Sequence, residues 1–242
     1  MTLSAKVVLF DLGNTLFYDN AAAWPEVYAR AEAALWRALR KAGVRVSPAE
    51  LYGKPDTLLN YYYALRGPGI EEPGTLRVLR DLLARHQVVA LDSSVARALR
   101  TMYAVTQTNW RVEKDAVPTL RALAARGFRL GAVSNGSDHL NALELLDKAR
   151  LRQSFEIVLT SAAHGRRKPD ASIFQAALDH FRVAPREAVM IGDNYQADIL
   201  GARALGLRTI WLTRRIPPPL SIQSVVPEVT IGALAEVPGA LL

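Results

Sequence analysis

Cysteine is absent from the 242 residues. That excludes disulfides and thiolate-bound metals and leaves no sign of an oxidising compartment. Also missing is any apolar run as long as a membrane span, and the first residues lack the basic start, apolar core and small-residue cleavage site of a secretory signal. The expectation is a cytoplasmic protein with no membrane partner. There is no internal repeat and no low-complexity segment. Basic residues outnumber acidic ones, 30 to 23, for a formal net charge of +7, but the arginines are scattered along predicted helices. Neither a long basic tract nor the interleaving of basic and aromatic residues used by single-strand binders is present, so nucleic acid is not an expected partner. The chain is long enough to bury one large core or two moderate ones without covalent staples.

What the sequence does carry is a short apolar run, Val7-Val8-Leu9-Phe10, that ends abruptly at Asp11 and a loop. Such a run, free of polar interruption, reads as a strand buried on both faces of a parallel sheet. Asp11 then lies at the carboxyl end of that strand, where open α/β sheets bind ligands. For roughly a hundred residues after Leu16 the pattern is helical. Tyr28, Ala31, Leu35, Leu39 and Ala42 recur at helical spacing over 25–42, with Gly43 as the stop. Ser47, Pro48 and Glu50 form the start of a second helix, as N-cap, first helical residue and closing member of a capping box. Further helices are expected over 57–66, 75–85 and 94–110, separated by the Gly67-Pro68-Gly69 and Glu72-Pro73-Gly74 breaks.

From Asp115 helices and strands alternate. Helices are expected over 115–126, 138–148, 172–181 and 197–205, and strands over 128–133, 155–160, 188–191 and 208–212. Repeated βα units of this kind predict a Rossmann-like parallel sheet with helices on both faces. Residues 214–219 read as a stiff connector, and the last twenty or so as a weak strand and helix at the sheet edge. The expected division is a catalytic core over 1–18 and 112–242 and an all-helical unit over 19–111.

Strand ends of one parallel sheet converge on one edge, so Asp11, Ser134, Lys168, Asp193 and Asp198 can share a site. Carboxylates from two strand ends suit a hard cation such as Mg²⁺. A hydroxyl and an ammonium beside them supply what a phosphoryl group needs.

The combination resembles the haloacid dehalogenase superfamily, whose members are mostly phosphatases. Its four motifs stand here in order as Phe10-Asp11-Leu12-Gly13-Asn14-Thr15-Leu16, Val133-Ser134-Asn135-Gly136, Lys168-Pro169-Asp170 and Ile191-Gly192-Asp193-Asn194-Tyr195-Gln196-Ala197-Asp198. The helical segment lies between the first two, as in relatives that carry a helical cap there. The resemblance implies that Asp11 is the nucleophile, that Ser134 binds phosphoryl oxygens and that Lys168 balances charge between them. It further implies Mg²⁺ on Asp11, Asp193 and the backbone carbonyl of Gly13, with Asp198 orienting the metal or its water. Asn14, Thr15, Asn135 and Gly136 are the expected substrate-binding residues. The implied substrate is a small phosphorylated metabolite, and the implied assembly a monomer or homodimer.

One position departs from the pattern. Phosphatases of this family place a second Asp two residues after the nucleophile, as general acid and then general base, and here that residue is Gly13. Positioned acid–base groups contribute about 10²–10⁴ in rate, so substrates with a leaving group already stable as an anion are expected, or an acid borrowed from Asp19 or the cap. Two other readings stay open, a metal-free 2-haloacid dehalogenase using Asp11 and a catalytically weak binder of phosphorylated ligands. Tyr61, Tyr62, Tyr63 and Trp110 are candidates to line the cap, although consecutive tyrosines on a helix cannot all face one way. His139, His164 and Arg167 are candidates to reach substrate.

Overall fold

The computed structural model describes residues 3–53, 57–215 and 226–242. In chain order the elements are β1 (Val7–Phe10), β2 (Phe17–Asp19), α1 (Trp24–Lys41), α2 (Pro48–Tyr52), α3 (Leu58–Arg66), α4 (Thr75–Arg85), α5 (Asp92–Thr106) and β3 (Trp110–Val112). They continue as α6 (Ala116–Ala125), β4 (Arg129–Ser134), α7 (His139–Lys148), β5 (Ile157–Thr160), α8 (Ser161–His164), α9 (Ala171–Phe181), β6 (Ala188–Gly192), α10 (Gly201–Ala204), β7 (Arg208–Leu212), β8 (Val229–Ile231) and α11 (Val237–Ala240). No described helix is long and apolar enough to cross a membrane.

Six strands form one sheet in the order β5-β4-β1-β6-β7-β8, every pair parallel. β1 lies inside it, with Phe10 opposite Ala132 of β4 and Ile191 of β6. Its unbroken apolar sequence follows from covered faces. Val8 and Phe10 pack with Leu120 and Leu123 of α6 and Leu146 of α7, whereas Val7 and Leu9 pack with Ile173, Phe174 and Phe181 of α9. Alternate side chains thus leave on opposite sides of the sheet, and each meets a helix. This is the expected Rossmann-like α/β arrangement.

Helices α1 to α5 enclose a second apolar core, centred on Leu35, Leu39, Leu58, Leu79, Leu99 and Met102. Two polar features fix its local structure. Ser47 and Glu50 make the expected capping box at α2, and buried Glu32 accepts from Trp36 Nε1 at 2.5 Å and from the Leu58 amide at 2.9 Å.

Two expectations are corrected, and a third falls mostly outside the described residues. The helix expected over 94–110 ends at Thr106, and after a 3₁₀ turn at Gln107–Asn109 the chain turns into β3. β3 pairs antiparallel with β2, Tyr18 opposite Arg111, so the segment between the first two motifs is not wholly helical. A three-residue strand is too short to show a period of two, which is why the helical spacing hid it. Second, the helix expected over 197–205 is a π-type turn at Tyr195–Leu200 followed by short α10. Third, most of the connector expected over 214–219 lies outside the described residues. The expected boundaries at 18/19 and 111/112 both fall within the β2–β3 ribbon.

Close sheet–helix packing generates a prediction. A Cβ added at Gly131 of β4 would stand 2.9 Å from both Leu9 Cδ2 and Phe181 Cε2, nearer than carbon atoms approach. Gly131→Ala is expected to cost about 1–3 kcal/mol by overpacking. Urea denaturation measures it, and an unchanged midpoint would refute the packing argument.

Candidate active site

A cleft of about 340 Å³ opens at the carboxyl ends of β1, β4 and β6, beneath the helical unit. Asp11 is the first residue past β1, and its amide continues the sheet by donating to Ile191 O at 2.9 Å. Ser134 ends β4 and lines the cleft. Asp193 follows β6 directly, and its backbone carbonyl accepts from Trp211 Nε1 at 2.9 Å. Asp198 sits in the π-type turn, whose start is capped by Asn194 accepting from the Ala197 amide. Lys168 comes from the loop before α9.

These side chains converge. Lys168 Nζ lies 2.7 Å from Asp11 Oδ1, 2.7 Å from Val133 O and 2.6 Å from Asp198 Oδ1. Asp11 Oδ1 and Val133 O accept hydrogen bonds from the ammonium, and Asp198 Oδ1 pairs with it as a counter-charge. Burial alone would drive the ammonium pKa down, but the charges of Asp11 and Asp198 outweigh that and the net shift is upward. Carboxylate oxygens of Asp11, Asp193 and Asp198 lie within 4.8 Å of one another, all three residues buried. Desolvation, with the charges of Asp11 and Asp198, pushes the Asp193 carboxyl up to about 7. Asp198 is raised to about 6, again chiefly by burial, with Lys168 opposing and Asp11 reinforcing.

Three carboxylates and one ammonium leave a formal charge of −2 in a buried space. Oxygen-only donors with that excess fit a hard divalent cation, which would restore neutrality. Gly192 makes the arrangement possible, because a Cβ there would stand 2.2 Å from Asp198 Oδ2.

The expected substrate residues receive different jobs. Asn14, held at φ 54, and Gly136 line the cleft. Thr15 does not; it is fully buried and its hydroxyl donates to Asp193 Oδ1 at 3.4 Å. Asn135 borders the cleft, but its amide is committed to the Lys168 loop, donating to Lys168 O at 2.9 Å and accepting from Lys168 N at 2.8 Å. Such a reciprocal pair fixes the backbone that carries the ammonium. Nothing in residue spacing announces it.

Of the candidates for the roof, Tyr63 and Trp110 line the cleft, joined by Trp24 and by Tyr28 of the helical stripe, for which residue spacing carries no cleft signal. Tyr62 points away, its buried hydroxyl donating to Glu72. Glu72 also accepts from Ser161 of the core at 3.0 Å, and the Tyr103 hydroxyl lies 2.8 Å from Thr75 Oγ1 and 3.0 Å from Ser137 Oγ. These bonds clasp the helical unit to the loops around Ser134. His139, His164 and Arg167 are engaged elsewhere, with Thr160, Ser172 and the Gly67 carbonyl. Asp19 is not among the cleft-lining residues; Asp138 is.

Comparison with known proteins identifies the family. Residues 5–206 match the haloacid dehalogenase-like hydrolase family. A phosphoserine phosphatase of Thermus thermophilus is 36% identical over 142 residues, 59% of this chain and 56% of that protein. A glyceraldehyde 3-phosphate phosphatase of Methanopyrus kandleri is 31% identical over 86% of this chain and 84% of its own length. The chain spans about half the length of the first curated relatives it matches. Among solved structures, a 2-haloacid dehalogenase from Pseudomonas syringae is 26% identical with a TM-score of 0.68, covering 98% of this chain and 97% of the other. With its sheet-edge carboxylates, buried lysine and family match in agreement, the chain belongs to the haloacid dehalogenase-like hydrolases.

Proposed function

We propose that this hydrolase is a Mg²⁺-dependent phosphomonoester phosphatase that works through an aspartyl-phosphate on Asp11, on a small phosphorylated metabolite. The observation that carries the reading is the buried −2 excess of Asp11, Asp193 and Asp198 over Lys168. A metal-free displacement has no use for two further buried carboxylates, whereas a cation and a phosphoryl group do. The phosphatase names of the Thermus and Methanopyrus relatives support it.

Asp11 supplies the attacking oxygen, oriented by its 2.7 Å bond to Lys168. Ser134 and the backbone of Asn135 and Gly136 receive the phosphoryl oxygens, with Asn14 on the opposite side. Lys168 offsets the charge of the nucleophile and shares a hydrogen with the arriving phosphate. Thr15 and Asn135 act as positioning residues for Asp193 and Lys168. Asp11, Asp193 and the Gly13 carbonyl would hold Mg²⁺, with Asp198 behind them. When bound, the cation neutralises carboxylate charge and polarises the phosphoryl oxygens. Residues 19–111 serve as a cap over the 1–18 and 112–242 core and exclude water from the cleft.

Gly13 leaves position 13 without an acid for the departing oxygen or a base for the water that follows. Rates over esters of graded leaving-group acidity are therefore expected to rise steeply with acidity. Rapid quench should show a first turnover faster than those after it, and Asp11→Asn should abolish both signals. A flat dependence with no burst would refute the role given to Gly13.

A second reading, metal-free hydrolytic dehalogenation at Asp11, is favoured by the likeness to the Pseudomonas syringae dehalogenase. Turnover of 2-chloropropionate in chelator, without hydrolysis of any phosphate ester, would establish it instead.

Stability offers an independent check. The Asp193 and Asp198 carboxyls are raised in the folded chain above the unfolded value of about 4, so without metal the fold holds protons that the unfolded chain releases. Stability in chelator is expected to fall as pH rises from about 4 towards the Asp193 value of about 7. The gain on adding Mg²⁺ should grow across the same window, because protons and cation compete for the same oxygens. Thermal unfolding with and without Mg²⁺ reads both trends. Asp193→Asn should flatten them, and a Mg²⁺ gain independent of pH would count against the site.

A further inference from the structure

The floor of the cleft is ionic, but its roof is built of rings. Trp24 meets Trp110 edge-on with centroids 5.9 Å apart, and meets Tyr28 at 5.1 Å. The Tyr28 and Tyr63 hydroxyls face one another. A side chain at position 13 would point towards the six-membered ring of Trp110, with its Cβ 3.6 Å from Cη2 and 4.0 Å from Cζ3. The wall facing the missing acid is therefore an aromatic surface.

Charge restricts the occupant further. Among the described cleft-lining residues Lys168 is the only cation, and its charge is already paired with Asp11 and Asp198. Towards the roof the remaining ionisable acid is Asp138, whose carboxylate accepts from the Asn141 amide at the start of α7. A leaving group with its own carboxylate or second phosphate would meet no counter-charge and would approach a like charge. Burying an unpaired charge is costly, whereas a neutral ring gains from stacking and desolvation.

We propose that the leaving group is an uncharged aromatic alcohol, so that the substrate is an aryl phosphate seated among Trp24, Tyr63 and Trp110. This rests on the phosphatase reading and narrows it. In the first step an Asp11 oxygen bonds to phosphorus while the phosphorus–oxygen bond to the ring breaks. The electron pair leaves on a phenolate, which delocalises it and takes its proton from water, so no acid at position 13 is required. In the second step water bonds to phosphorus and the Asp11–phosphorus bond breaks. The water gives up a proton, phosphate leaves and the Asp11 carboxylate is restored. Ester and water are consumed; phenol and phosphate are formed.

The test separates ring recognition from leaving-group acidity. With the full chain and Mg²⁺, kcat/KM is compared for phenyl phosphate, 4-carboxyphenyl phosphate and hexafluoroisopropyl phosphate, whose alcohol is similar to phenol in acidity but has no ring. Acetyl phosphate, which needs no acid and has no ring, is the reference. Phenyl phosphate should exceed the fluoroalkyl ester by about tenfold, the scale of one good aromatic contact, and the added carboxylate should cancel that advantage. Trp110→Ala should remove the preference for the ring and Trp110→Phe retain it. In calorimetry phenylphosphonate, which cannot turn over, should bind more tightly than methylphosphonate. Equal rates for ring and fluoroalkyl esters, or faster reaction with the carboxylate, overturn the aryl assignment while acetyl phosphate hydrolysis keeps the phosphatase reading. Loss of acetyl phosphate hydrolysis as well would remove both.

Discussion

One ammonium ties the site together. Lys168 is buried; it donates to the residue after β1 and to a carbonyl of β4, and it forms an ion pair with Asp198 in the turn after β6. Three separate stretches of chain thus share one charge, and each would otherwise leave an oxygen buried without compensation. Truncating one partner of such a pair typically costs about 3–5 kcal/mol, because the charge left behind cannot be solvated. The loop carrying Lys168 is in turn held by the Asn135 amide, and the close approach of Asp198 depends on the absence of a side chain at Gly192. Structure and chemistry therefore rest on the same contacts. The lysine that holds the strand ends together also fixes the orientation of the Asp11 carboxylate.

The convergence of Asp11, Ser134, Lys168, Asp193 and Asp198 was legible in the sequence because it follows from topology. Buried parallel strands end on one side, and polar residues placed just past them must meet. Other features depend on side-chain direction, which spacing does not encode. Thr15 reads like a substrate ligand yet turns to Asp193, and Asn135 turns to the Lys168 backbone. Tyr62 and Tyr63 are neighbours in sequence, but one is bonded to Glu72 and the other lines the cleft. Trp24 escaped notice because it stands at the first turn of α1, ahead of the periodic stripe. The β2–β3 ribbon escaped for the opposite reason, since three residues carry too little pattern to outweigh a long helical context.

Gly13 and Trp110 are best understood as one feature. A carboxylate at position 13 would meet the six-membered ring of Trp110, and burying a carboxylate against apolar carbon without a partner is unfavourable. Glycine there and tryptophan opposite are mutually consistent. Under the proposed function, the pair turns the cleft from a place that hands protons to the departing oxygen into one that accommodates a group able to depart without one. The same pairing gives the dehalogenase reading its foothold, since displacement of halide also needs no acid, and the −2 excess of the floor is what weighs against it.

The β2–β3 ribbon carries a consequence for how the chain is built. Phe17 lies opposite Val112 and Asp19 opposite Trp110, so everything between them leaves and re-enters the sheet domain at a single point. Ninety or so residues are topologically a hairpin loop, and lengthening such a loop adds only slowly to its closure entropy. The helical unit can therefore be exchanged, shortened or rebuilt without altering any strand order or register in the sheet. Trp110 sits on this seam, at the exit of one module and against the first loop of the other. A change of module is thus coupled, through one side chain, to what stands beside Asp11.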